Sequence, residues 1–226
     1  MDFAAIVQAL LAKAEATEFE HEAAAFLAKA EELMVKHDIA RASLPEQDRD
    51  KIEKVVIEVG VSNGNRNLWY HAALSRDVKM LINSQQRTTA WLVGFHDDIE
   101  YVKALVASLI VQRERYLVKT DKPYWEHAKT FNHGFRMAYA ARIADRLKEI
   151  RKHSQEESNK TPGNALVLRD KAVQVRDRFQ QEFPRIHTIP QARVTSAAGT
   201  SAGRQAGSMA DLGGHRVTGS RQAISS

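Results

Sequence analysis

The chain of 226 residues carries a formal net charge of +5 with a sequence pI near 9.4, and 43% of its residues are hydrophobic. It is long enough for one substantial core with extensions or for two small domains, and its lack of cysteine excludes disulfides, thiolate zinc sites and a cysteine nucleophile. No apolar run approaches the roughly 20 residues of a membrane span, and Met1-Asp2-Phe3-Ala4 lacks the basic region of a signal peptide, so a cytoplasmic protein without membrane attachment is expected.

Residues 1–40 read as a helical hairpin. Phe3, Ile6, Val7, Leu10, Leu11 and Ala14 recur at helical spacing, and Phe19, Ala23, Phe26, Leu27, Ala30, Leu33 and Met34 supply a matching face. Thr17 and Glu20 stand in the order of a capping box. The connection is so short that the two helices should pack antiparallel. Residues 1–50 hold eleven Asp and Glu against five Lys and Arg, a net of −6, which leaves +11 for the remainder. Glu20, Glu22, Glu31 and Glu32 therefore form a candidate protein-binding surface, or a face that folds back over the basic body.

The run from Leu11 to Ile39, with Ala12-Lys13-Ala14, His21-Glu22-Ala23, Ala28-Lys29-Ala30 and Glu32-Leu33-Met34, resembles the N-terminal signature of an uncharacterised bacterial and phage family, the domain of unknown function numbered twenty-seven eighty-six. Asn67-Leu68-Trp69, Ala72-Ala73-Leu74 and the stretch from Val93 to Glu100 are similar to the α+β segment that follows the hairpin there, which extends the likeness to about Ile150. The resemblance implies a gene carried by phages and prophages, including the early regions of transposable phages. It implies no catalytic residues.

Arg41 to Lys51, with Pro45, reads as a linker. Beyond it lies an expected α+β domain at 52–153. Val55, Ile57, Val59 and Val61 alternate as one face of a strand, Ser62-Asn63-Gly64-Asn65 is turn chemistry, and a short helix follows from Leu68 to Arg76. Val78 to Ile82 and Thr88 to Phe95 predict a β-hairpin, giving three strands. Asp97 and Glu100 predict a capped helix with Ile99, Val102, Val106, Leu109, Ile110 and Leu117 as its apolar stripe. After Pro123, a long basic helix from about Tyr124 to His153 turns Trp125, Phe131, Phe135, Tyr139, Ile143 and Leu147 inward, and Gly134 inside it costs roughly 1 kcal/mol unless close packing needs it.

Ser154 to Asn164 reads as a second linker, and 165–184 as a short C-terminal element ended by Pro184. From Arg185 to Ser226, Gly, Ser and Ala dominate and five Arg face one acid, which predicts a flexible basic tail. Gly199, Gly203 and Gly207 recur every fourth residue, so a helix here would carry a smooth stripe suited to close backbone approach. Together these elements give an α+β fold with an N-terminal antiparallel hairpin, a small three-stranded sheet with packed helices, a long basic helix and a tail.

No metal centre or cofactor is expected. His21-Glu22 begins a zincin-like pattern, but position 25 is Ala, and His127 and His133 fall on different helical faces. No P-loop, nucleophile elbow or dinucleotide fingerprint is present. Asp97, Asp98 and Glu100 suit either magnesium-assisted phosphodiester chemistry or a helix N-terminus. Arg136, Arg142, Arg146, Arg151 and Lys152 on the long helix, with Arg204, Arg216 and Arg221 in the tail, are the candidate phosphate-binding residues. Trp69, Tyr70, Trp91, Tyr124 and Trp125 suit either core packing or base stacking. The leading expectation is a non-enzymatic phage or prophage accessory protein associated with nucleic acid or a nucleoprotein complex. The alternatives are a protein-interaction module using the acidic hairpin and a metal-dependent enzyme acting on nucleic acid; oligomeric state is left open.

Overall fold

The computed structural model describes residues 6, 9, 10, 13, 29, 30, 32–34, 51–83, 85, 86, 88–159, 164–186 and 194–212. Its elements run β1 (Ile52–Glu58), α1 (Asn63–Ser75), β2 (Lys79–Ile82), β3 (Thr89–Phe95), α2 (His96–Lys119), α3 (Ala128–Asn159), α4 (Asn164–Glu182) and α5 (Ala197–Met209). The fold is α+β. Of the segment expected as an N-terminal hairpin, Ile6, Ala9, Leu10, Lys13, Lys29, Ala30, Glu32, Leu33 and Met34 are described, all helical, and its connection lies outside the described residues. Ala30 and Met34 are buried in the main core, with Leu10 packed against it.

β3 is the middle strand, antiparallel to β1 from Ile52↔Phe95 to Glu58↔Thr89 and to β2 from Lys79↔Val93 to Ile82↔Ala90. Period-two alternation places Ile57, Ala90 and Leu92 on one face, where they join the core with α1 and α2. Trp91 and Phe95 face the other way and are covered by α4, whose Phe183 neighbour lies 5.5 Å from the Trp91 ring and whose Lys171 ammonium lies 5.9 Å from the Phe95 ring. The alternation of β1 stops before Val61, which is exposed, because Gly60 turns the chain at a φ of +69°. Ser62 to Asn65, expected as a turn, instead opens α1; the polar types that favour turns also favour helix starts.

α2 presents Ile99, Val102, Leu105, Val106 and Leu109 to the core at helical spacing. Its N-terminus differs from expectation, since the helix begins at His96 and no side chain caps it. α3 contributes Phe131, Phe135, Tyr139, Ile143 and Leu147 and runs on to Asn159, through most of the expected linker. It starts at Ala128, so Tyr124 and Trp125 lie outside the helix and Trp125 is 73% exposed, contrary to the inward position expected of it.

The larger correction concerns the expected flexible tail. Residues 197–209 are a helix, and its glycine stripe lies on α3. A Cβ at Gly199 would stand 2.4 Å from Phe131 O, and one at Gly203 would stand 2.2 Å from Phe135 O. At Gly207 it would meet Arg142 Cβ at 2.9 Å and Tyr139 O at 3.0 Å. Both helices advance four residues per contact in the same direction, so they run parallel with backbones in near contact. Gly134 completes the seam on the α3 side, where a Cβ would meet that of Ser196 at 2.9 Å. Each glycine costs α5 about 1 kcal/mol of helix propensity relative to Ala, so the helix exists because it is docked. Small residues supply what large apolar ones supply elsewhere: Ala206, Ala210 and Leu212 enter the same core as Phe135 and Tyr139. No helix among the described residues is long and apolar enough to cross a membrane.

Candidate nucleic-acid interface

The arginines of α3 have intramolecular partners. Arg136 forks onto Glu114 of α2, with Nε donating at 3.0 Å and Nη2 at 2.7 Å. The same carboxylate accepts from Arg113 Nε at 2.8 Å, and Arg113, only 2% exposed, also donates to Asn65 Oδ1 at 2.6 Å. Partial burial alone would raise the Glu114 pKa, but the Arg136 hydrogen bond and the charges of Arg113 and Arg136 hold it below the ordinary carboxylate value. Burial lowers that of Arg113.

Further along α3, Arg142 Nε donates to Ser208 Oγ at 2.9 Å, and Arg146 Nη1 donates to Gly207 O at 2.9 Å and to Ala210 O. Arg146 thus satisfies carbonyls at the C-terminal end of α5, where a helix has spare acceptors and partial negative charge, and Arg142 holds the Ser208 hydroxyl beside them. Arg151 forks onto Asp77 at 2.7 and 2.8 Å and donates to Leu74 O at 2.6 Å, clamping the end of α1. Lys152 and Arg204 are more exposed, at 3.8 Å from Glu156 and 3.7 Å from Asp145. Arg216 and Arg221 lie outside the described residues, as do Glu20, Glu22 and Glu31. Glu32 is described and pairs with Lys29 at 2.9 Å.

The acidic cluster of α2 is divided. Asp98, 1% exposed, accepts from Arg76 Nε at 3.0 Å and Nη2 at 2.8 Å, and stands 2.7 Å from Lys171 Nζ. It therefore joins the end of α1 to α4. Glu100 pairs with Lys103 at 2.7 Å. Among the described residues no three His, Asp or Glu gather in a geometry that would hold a metal ion.

A different surface carries exposed charge. Where α2 gives way to α3, the residues Arg115, Lys119, Lys122 and Lys129 are all exposed, and among the described residues Arg115, Lys119 and Lys129 have no carboxylate within ion-pair distance. Asp121 is exposed among them and Glu126 is half-buried. Arg115 and Lys119 lie one turn apart on α2, continued by Val118, which is 86% exposed. The corner is fixed by its own hydrogen bonds. Thr120 Oγ1 donates to Tyr116 O at 2.7 Å, Glu126 N to Pro123 O at 3.1 Å, and Lys122 Nζ to Pro123 O at 3.0 Å and Glu126 O at 2.5 Å. On it stand Tyr124, 92% exposed, and Trp125, their ring centroids 4.8 Å apart at an interplanar angle of 85°. The first turn of α3 holds no acid, and α5, also without acid in its first turn, begins alongside Phe131 and Gly134. Two parallel helices thus direct their partially positive ends toward this part of the molecule. The break at Pro123 was the signal for this corner, because residues between a proline break and the next helix need not follow helical periodicity.

At the N-terminal end, the buried pair Ala30 and Met34 anchors the hairpin signature to the core. Residues 7–41 match the family described as protein of unknown function, DUF2786. The DUF2786 segment precedes the sheet and the corner, so the basic–aromatic surface lies outside the matched residues. No curated protein and no solved structure matches the chain.

Proposed function

We propose that this protein is a non-enzymatic nucleic-acid-associating protein of the phage or prophage accessory type, acting in the cytoplasm. The observation that carries the reading is the exposed trio Arg115, Lys119 and Lys129 at the α2–α3 corner, beside Lys122, whose ammonium ties the turn, in contrast with the arginines of α3, whose charge is spent on Glu114, Asp77 and the end of α5. Exposed cations bind phosphate by releasing condensed counterions, which needs no base-specific contact. The phage context rests on the family resemblance alone, since the matched family is described as of unknown function.

A salt titration tests the reading. Affinity for DNA or RNA should fall linearly in log–log form, and replacing Arg115, Lys119 and Lys129 together by Ala should reduce the slope by about 2 to 3. The Arg142→Ala, Arg146→Ala pair should leave the slope of the folded protein unchanged. A flat salt response, or a slope lost only with the α3 arginines, would remove the corner as the interface.

A further inference from the structure

The corner carries two kinds of group: cations at 115, 119, 122 and 129 and, between the last two of these in the chain, two aromatic rings that the fold leaves in solvent. The chain has three tryptophans, and the other two are used internally, Trp69 in the core and Trp91 against Phe183. Trp125 is 73% exposed and Tyr124 is 92% exposed, although both stand on a turn tied down by the four hydrogen bonds described above. An edge-to-face pair spends one ring face on its neighbour and leaves the others open. Each ring is thereby partly fixed before any ligand arrives, which lowers the ordering cost of contact.

We infer, resting on the nucleic-acid reading above, that Tyr124 and Trp125 are a stacking platform for unpaired bases, so that the ligand of the corner is single-stranded nucleic acid. A duplex offers phosphates to the lysines but keeps its base faces stacked on one another; only an unpaired base can lie on an exposed ring. A single strand matches both features at once, because each nucleotide brings a flat aromatic base and an anion, and the cations precede and follow the ring pair in the chain.

The test uses the full chain with an oligothymidylate, an oligouridylate and a mixed-sequence duplex of equal length. Binding of either single strand should quench tryptophan fluorescence, and the quench should be absent in Trp125→Phe, since Trp69 sits in the core and Trp91 lies against Phe183. The Tyr124→Ala, Trp125→Ala variant should lose about ten-fold or more in single-strand affinity and little for the duplex, with unchanged circular dichroism and thermal midpoint. Equal, salt-dependent binding of duplex and single strand, without quenching and insensitive to the double variant, would overturn the stacking platform and leave the cationic interface standing. Failure to bind any of the three probes would overturn both. Preferential binding to vesicles of phosphatidylserine and phosphatidylcholine, with a blue-shifted Trp125 emission, would also overturn both and make the corner a membrane contact.

Discussion

The seam between α3 and α5 and the corner between α2 and α3 draw on similar residues and use them in opposite ways. Along the seam, Arg142 and Arg146 are held by Ser208, Gly207 and Ala210, and the aromatic rings of Phe131, Phe135 and Tyr139 are buried. At the corner, lysines and two aromatic rings are left in water. A basic residue inside a fold is often a fastener for carbonyls and carboxylates; what is available to a partner is decided by which cations the fold has not already engaged.

The largest expected effect breaks the seam. Gly203→Ala places a methyl against Phe135 O, a backbone atom that cannot swing aside, and should cost about 3 kcal/mol as overpacking. Denaturant unfolding reads the cost, and limited proteolysis should cut within 197–209. A wild-type midpoint would mean that the helices are not in backbone contact. The same variant sharpens the comparison, because undocking uncovers Arg142 and Arg146 and should steepen the salt dependence of polyanion binding.

Next comes Glu114→Gln, which leaves Arg113 buried without its carboxylate. The cost should be about 2 kcal/mol, below that of a fully buried pair because Glu114 is 38% exposed. A carboxylate whose pKa is depressed in the folded state contributes stability above its unfolded value, 4.5, and loses that contribution as pH falls through the lowered value. Wild type and variant should therefore converge in stability as acid is added below pH 4.5. Parallel curves across that range would show that Arg113 draws its support elsewhere.

A pair of double variants compares the two regions directly. Arg142→Ala with Arg146→Ala should lower stability by about 1 to 3 kcal/mol through lost bonds to the end of α5, whereas Lys119→Ala with Lys129→Ala should stay within about 0.5 kcal/mol. Equal losses would erase the distinction. The smallest effect is expected from Tyr139→Phe. Tyr139 Oη is buried and, among the described residues, without a hydrogen-bonding partner, so its removal should leave stability unchanged or raise it by about 1 kcal/mol. A clear loss would show that the hydroxyl has a bridging water.

Period-two alternation in β1 and the 3–4 spacing of α2 and α3 were legible because one face of each element meets a continuous core. The glycine repeat was visible but ambiguous: its partner backbone lies more than sixty residues upstream, and composition that resembles a flexible tail is also what the closest helix contact requires. The charge pattern of α3 was read correctly as basic, but nothing in sequence tells Arg151 apart from Lys129 until Asp77 is seen to meet one of them. At the corner, extending the helix back through Trp125 concealed the two residues that stand outside it.

The α3–α5 seam also sets a timetable for folding. Arg142 meets Ser208 across 66 residues, so during synthesis at about 5 to 20 residues per second the groove of α3 waits roughly 3 to 13 seconds for its cover. Throughout that interval the docking face that includes Phe131, Phe135 and Gly134 is open to any small-residue helix, including one from a neighbouring nascent chain. Exchange of α5 between chains translated on one message is therefore the misassembly to which this architecture is most susceptible.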